Sequence, residues 1–348
     1  ARRTSACASA FIPTPNPWRS PPFTNPLTEH DHATHTSHLS RPPPPAGSAF
    51  APFRYPAFRA IWIANLWSSL GSTIQSVGAA WLMTDLSHSH SMIALVQASS
   101  TIPIMLLGVP AGAIADNFDR RRVMLVAQIG MFVAATLLAL ATLQGMITPW
   151  LLLAFTLAIG AGTALNSPAW QASGRQQVGP ADLPQAISLN TIAFNLARSV
   201  GPALGGLLIS LWSVGLAFAV NAASFIGMIV VLWRWNPGTP PPVRQPMLPA
   251  IGQGLRFCLG NAPVRKVLVR GVALGFGVAG YQALVPAVVR DRLHGSELDF
   301  GLVLGAFGIG SIGAAFLVSH LRRRFGSEAV VAGSTLCFVV AQFVLAEA

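Results

Sequence analysis

Apolar and polar positions segregate along this chain on a scale longer than that of an ordinary globular helix. From Phe58 onward the apolar residues gather into nine runs, at about 60–84, 91–115, 122–143, 149–171, 185–211, 213–233, 267–289, 299–319 and 328–346. A helix rising ~1.5 Å per residue crosses ~30 Å of hydrocarbon in ~20 residues, so each run is predicted to span a membrane. A soluble protein can bury one such helix, but nine in succession exclude that reading. Most runs are separated by short polar turns. The exception is the loop 236–264, which opens Asn236-Pro-Gly-Thr-Pro-Pro-Pro and leads into a predicted amphipathic helix near Pro249–Leu259. It divides a six-helix bundle, 56–235, from a three-helix set, 265–348. Residues 1–55, rich in Pro, Ser and His with no apolar period, are predicted to be disordered.

Composition sharpens this picture. Only 9% of residues are charged and 52% are hydrophobic, whereas roughly a quarter of a soluble domain is charged. The formal charge of +11 could suggest nucleic acid, but the arginines are scattered at helix ends and not gathered into a basic domain. No nucleic-acid partner is expected; membrane lipid is. Arg120–Arg122, Arg175, Arg234, Arg244, Arg256, Arg265, Lys266 and Arg322–Arg324 all fall in alternate loops, while the loops after helices 1, 3 and 5 hold no Lys or Arg. Basic residues in short loops stay on the cytoplasmic side, which places the N-terminus inside. The loop after helix 7 breaks the rule with Arg290 and Arg292, offset by Asp291, Glu297 and Asp299. Trp81, Trp150 and Trp212 at the outer ends, and Trp62, Trp170, Trp233 and Trp235 at the inner ones, fit an aromatic belt. Cys7, Cys258 and Cys337 are too dispersed for a disulfide framework or a metal knuckle. His30, His32, His35 and His38 are either a chelating cluster or plain polar sequence, and no metal or cofactor is expected.

Between the second and third runs lies Gly112-Ala-Ile-Ala-Asp116-Asn-Phe-Asp119-Arg120-Arg121-Arg122, two acids and three arginines in one tight turn. Gly313–Arg324 echoes it without the acids, a faint internal repeat of the kind transporters use. The turn resembles the signature loop of the major facilitator superfamily, Gly-x-Leu-Ala-Asp-Arg-x-Gly-Arg-Arg, at Gly112, Ala115, Asp116, Arg120 and Arg121. Asn117 stands where the family usually has Arg, and Asp119 where it has Gly. The opening Phe58-Arg-Ala-Ile-Trp-Ile-Ala-Asn and the stretch Asn195-Leu-Ala-Arg-Ser-Val-Gly-Pro-Ala-Leu-Gly-Gly are similar to the branch that holds siderophore exporters and macrolide efflux pumps. The resemblance covers about 55–346. It implies an all-α polytopic membrane protein of the major facilitator fold, with nine of an expected twelve transmembrane helices present. It also implies that Asp116 latches the two halves by facing a helix N-terminus of the second half, while Arg120 and Arg121 pair with acids or lipid headgroups. For Arg122, plain topology signalling is the alternative.

The fifth run carries a second signature. Gly201-Pro202-Ala203-Leu204-Gly205-Gly206 resembles the exporter motif of the superfamily, with Ala197 where a further Gly often stands. Small residues admit a neighbouring helix and Pro bends its own, giving either a pivot against the second half or ordinary close packing. Arg198 in the same run lies roughly 18 Å from the inner end at helical rise, too deep to snorkel. A charge there costs at least ~3 kcal/mol, so it is expected to face a wet cavity and an anionic or oxygen-rich substrate, or else to be bonded to carbonyls. Thr191, Asn195, Arg198, Pro202 and Gly205 share one face by spacing. In the first run Asn65, Ser69, Ser72 and Ser76 form a polar stripe that either lines a water-filled pathway or bonds two helices together. Gln97, Asn166, Tyr281 and Gln282 are further cavity candidates.

No Asp or Glu lies in the middle of any run, and the fourth lacks the inner-end basic residue of many proton-coupled relatives. The phosphate-loop pattern Gly-x-x-x-x-Gly-Lys-Ser/Thr is also missing, so an ion gradient, expected to be protons, is the energy source that fits. No cluster of His and acid sits at one membrane depth to stage enzyme chemistry. The chain starts without Met and ends at Ala348 in an apolar run, as a piece of a longer protein would. The resulting expectation is a monomeric exporter of a small organic molecule, in the bacterial inner membrane. A truncated, non-transporting remnant, scaffold or sensor of the same fold is the alternative.

Overall fold

A computed structural model of the chain describes residues 48–237, 252 and 256–347. The tail with His30, His32, His35, His38 and Cys7, and residues 238–251 and 253–255 of the 236–264 loop, lie outside the described residues; of the amphipathic helix expected near Pro249–Leu259, residues 256–259 are helical. After a short 3-10 turn at Ala51–Arg54 come eight helices. They are α1 (Pro56–Leu86), α2 (His90–Asn117), α3 (Arg120–Leu143), α4 (Pro149–Gln177), α5 (Leu183–Leu211), α6 (Val214–Arg234), α7 (Ala262–Asp291) and α8 (Glu297–Glu347). Among the described residues there is no strand.

Local chemistry sets these boundaries. Proline opens α1 and α4, where its missing N–H costs nothing. Asp119 caps α3 by accepting from Arg121 N at 2.9 Å, Thr148 caps α4 through Leu151 N at 3.3 Å, and Ser213 caps α6 through Leu216 N at 3.2 Å. Gly145, at φ +68°, supplies the left-handed residue that ends α3. Hydroxyls inside the helices bond back to the preceding turn, as Thr156 does to Leu152 O at 3.0 Å and Ser199 to Asn195 O at 2.9 Å. Where no water can serve them, this keeps the donors satisfied.

Among the described residues seven helices are long and apolar enough to cross a membrane, or eight if the bent pair His320–Gly326 and Glu328–Phe343 forms one span. The nine expected from the apolar runs are therefore not all met by length and composition. Two features account for the difference. Helix α1 is 31 residues long but carries the polar stripe of Asn65, Ser69, Ser72 and Ser76, which lowers its hydropathy. The eighth and ninth runs are merged in α8, where Gly326 leaves helical backbone at φ 79°, ψ 163° and bends the helix by 115°.

Successive helices run antiparallel, so that one end of the bundle holds the Arg120–Arg122 turn and the other the α1–α2 and α7–α8 turns. Helices α1 to α6 enclose two apolar clusters. One joins Met83, Leu138, Leu152, Phe218 and Phe225 toward the far end; the other joins Ile61, Met124, Ala169 and Leu232 at the arginine end. A third, with Val77, Trp81, Val285, Val289 and Phe300, ties α1 to α7 and α8. Within the first six helices a buried amide pair crosses from α6 to α1, Asn221 donating to Gln75. Gly71 lets those helices meet, since a Cβ there would lie 2.5 Å from Ser224 Oγ.

Trp150, Trp212 and Trp233 are exposed at the helix ends, as a belt requires. Trp81 and Trp235 depart from the expected belt, because both are buried. Trp81 is held between α1 and the second helix set, its indole donating to Glu297 Oε1 at 3.2 Å and its ring stacked on Phe300 at 6.0 Å.

Candidate functional site

The charged turn is built as a brace within the first six helices. Arg120 donates to Ala172 O of α4 at 3.2 Å, and Arg121 donates through Nε to Leu232 O of α6 at 2.8 Å and also to Trp233 O. Arg121 therefore sits at the C-terminus of α6, where the unpaired carbonyls and the helix dipole favour positive charge. Among the described residues the partners of these two arginines are carbonyls, within reach because α3 packs against both α4 and α6. Arg122 stands 4.0 Å from Asp119 and is otherwise exposed. Gly112 has open space around it, and Asp116 is exposed in the last turn of α2. Among the described residues Asp116 forms no ion pair, so the expected latch to a second-half helix is not made by them. At the same end of the bundle Tyr55 donates to Asp182 at 3.0 Å and Arg54 is bonded to both. The Tyr55 hydrogen bond, and then the Asp182 carboxylate, raise the Arg54 pKa above its ordinary value.

The α5 motif does its work by size. A Cβ on Gly201 would lie 1.9 Å from Thr73 Oγ1, and one on Gly205 3.2 Å from Ile74 Cα, so both glycines seat α1. Gly206 faces the other way, 2.5 Å from Glu297 O and 3.0 Å from Gly301 Cα by the same measure. Helix α8 answers with its own small residues. A Cβ on Gly301 would meet Pro202 O at 2.7 Å, and one on Gly308 would meet Ser199 Cα at 2.4 Å. Helix α5 is thus clasped on two sides at backbone distance. Sequence reasoning named one side of this seam and missed the other, although Gly301, Gly305 and Gly308 stand at readable small-residue spacing.

Between these helices lies a cavity of about 380 Å³. Its walls include Asn65, Ser69, Ser72 and Ser76 from α1, Gln97 from α2, Asn166 from α4, Arg198 and Pro202 from α5, and Gln282 from α7. Gln128, Thr163 and the rings of Phe194, Phe225, Phe300 and Phe307 complete it, residues that the sequence reading did not name. Asn195 and Tyr281 do not line it. The glycine contacts fix the rotation of α5, turning Phe194, Ala197 and Arg198 inward and leaving Asn195 beside the face. Tyr281 packs against Phe307 and Phe338 at 6.0 and 6.2 Å.

At the end opposite the arginine turn, the first six helices are tied to α7 and α8 by polar bonds. Arg290 is bonded to Asp85 and donates to Thr84 Oγ1 at 2.6 Å, with its guanidinium 5.7 Å from the Trp81 ring centroid. His90 Nε2 lies 3.1 Å from Asp291 Oδ2. Arg290 was the exception to the alternation of basic loops, and an arginine on the wrong side for topology is a usable signal of a structural partner. At the arginine end, α7 is exposed along nearly all of residues 262–272.

The description of transmembrane secretion effectors matches residues 47–348 as a family model. The staphyloferrin A transporter of Staphylococcus aureus is 22% identical over 274 residues, 78% of this chain and 69% of its own length. The multidrug efflux pump Tap of Mycolicibacterium fortuitum is 29% identical over 281 residues, 76% of this chain and 68% of its own. Among solved structures, a bacterial homologue of the human lysosomal transporter Spinster, in an inward-facing and occupied conformation, superposes with a TM-score of 0.61 at 18% identity. That superposition covers 80% of this chain and 63% of the homologue, so the chain spans somewhat less than two thirds of its length.

Proposed function

Because the chain belongs to the transmembrane secretion effector family, a branch of the major facilitator superfamily of membrane transporters, we propose that it exports a small organic molecule by alternating access through the central cavity. The observation that carries this reading is a polar, arginine-bearing cavity at mid-depth among helices whose outward surfaces are apolar. Hydrocarbon offers no partner to Arg198, Ser72 or Asn166, so such a lining is favourable only around water and a polar solute. Relatives named as a multidrug efflux pump and a staphyloferrin A transporter support the direction and the small-molecule cargo. The protein lies in the bacterial plasma membrane with its N-terminus and the arginine turn in the cytoplasm. Helix α1 and the segment after Gly326 also cross, which makes nine spans. The bundle 56–235 rocks against 265–348, the 236–264 loop allowing the motion. In this reading the contacts of Arg290 and Trp81 hold the outer end shut, which leaves the cavity open toward the cytoplasm. A proton gradient drives the cycle.

Flux tests this reading. Inside-out vesicles carrying the full chain are expected to accumulate an anionic dye when the lumen is acidic, and to stop when a protonophore collapses the gradient. Uptake that needs ATP and ignores the pH gradient would refute it.

A further inference from the structure

The cavity lining has one feature that narrows the cargo. Among the described residues Arg198 is the one charged side chain that lines the cavity. No Asp or Glu among the described residues lines it; all stand at or next to helix ends except Glu328, which follows the α8 bend at Gly326. Among the described residues no ion pair involves Arg198. A mid-membrane cation without a counter-charge attracts an anion and repels a cation, and low surrounding dielectric strengthens both effects.

The rest of the wall adds detail. Gln128 is buried, 3% exposed, and its amide nitrogen donates to Asn166 Oδ1 at 3.5 Å. Its Oε1 is buried and has no hydrogen-bond partner among the described residues. Phe194, Phe225, Phe300 and Phe307 supply flat apolar faces that suit a ring system. The geometry points to an organic anion with an aromatic body as the substrate class, its carboxylate on Arg198. This rests on the exporter reading only for what happens after binding.

Two dyes that share a xanthene frame and differ in charge test it. Fluorescein carries a carboxylate and a phenolic oxygen; rhodamine 123 is a cation of similar size. Titrated by anisotropy against the purified full chain in nanodiscs, fluorescein is expected to bind at least tenfold more tightly than rhodamine 123, a difference of 1.4 kcal/mol. Arg198→Gln is expected to erase that preference and Arg198→Lys to keep most of it, with thermal melts showing that both variants are folded. Equal or reversed preference, binding of neither dye, or wild-type fluorescein affinity in Arg198→Gln would overturn the assignment. Vesicle flux separates the two claims. Fluorescein that binds through Arg198 but is not moved refutes export and leaves the substrate class standing, whereas equal movement of both dyes refutes the class and leaves export standing.

Discussion

Gly206→Ala is expected to cut export to less than a tenth and to lower the melting temperature, although it adds one methyl group. The new Cβ would sit 2.5 Å from Glu297 O and 3.0 Å from Gly301 Cα, and both of these are backbone atoms that cannot rotate away. Helix α8 must retreat by roughly an ångström to restore ordinary contact. Overpacking of this kind costs ~1–3 kcal/mol, or roughly 1–4 °C for a chain of this size. In a bilayer no hydrophobic force draws the helices back together, because the seam is held by close packing alone. Gly308→Ala should behave alike, with its Cβ 2.4 Å from Ser199 Cα. Gly201→Ala should be milder, because its obstacle is the Thr73 side chain. Gly227 on α6 has no atom within 4 Å of its Cβ position and serves as the control. Melts and dye flux on these four variants check the order, and Gly206→Ala matching Gly227→Ala would remove the seam from the account.

The second large effect is expected at the outer end. Arg290 bonds Asp85 and Thr84 and covers Trp81, which in turn donates to Glu297, so one side chain joins α1 to both α7 and α8. Hydrogen bonds to charged groups contribute ~1.5–3 kcal/mol. Arg290 and Asp85 side chains are 35% and 45% exposed, and water screening reduces the net value to ~1–2 kcal/mol. Arg290→Ala should therefore raise the outward-open population roughly 5- to 30-fold. Spin labels at His88 and Leu293, in the two outer turns, would report this as growth of a long-distance population. The double exchange Asp85→Arg with Arg290→Asp should reverse much of the change. A distance distribution that is the same in Arg290→Ala and wild type would show that the outer contacts do not hold the closed state.

Much of the fold was legible because its signals are local. The charge-free run 91–115 became α2, His90–Asn117, and the run at 122–143 became α3, Arg120–Leu143, since apolar length and flanking charge are properties of the segment itself. The stripe of Asn65, Ser69, Ser72 and Ser76 was readable as a stripe from its spacing alone. Whether it faced a cavity or a neighbouring helix depended on the rotation of α1 against α5, which Gly201 and Gly205 set. Asn195 shows the same dependence, since its spacing placed it with Arg198 and the packing turned it aside. The partners of Arg121 and Arg290 lie 111 and 205 residues away, and no local pattern encodes a contact of that separation. Trp81 was read as a belt residue because its position at a helix end is visible in sequence, and its burial under α7 and α8 is not. The polar stripe lowers the hydropathy of α1, which is not among the helices that meet the length and composition of a membrane span.

The central claim is that the cavity is a water-filled solute pathway, and cysteine labelling tests it most directly. With Cys7, Cys258 and Cys337 replaced by Ser, a single Ser72→Cys would be exposed to a membrane-impermeant maleimide in vesicles of both orientations. A thiol reacts as the thiolate, which forms in water and not in hydrocarbon. Ser72 lines the cavity, whereas Val133 on α3 is exposed on the surface of the bundle. The expected result is rapid labelling of Ser72→Cys from the cytoplasmic side, little from the outside, slowing by fluorescein, and no labelling of Val133→Cys. A Ser72→Cys thiol that stays unreactive from both sides would mean that the stripe bonds helix to helix, and would contradict the account.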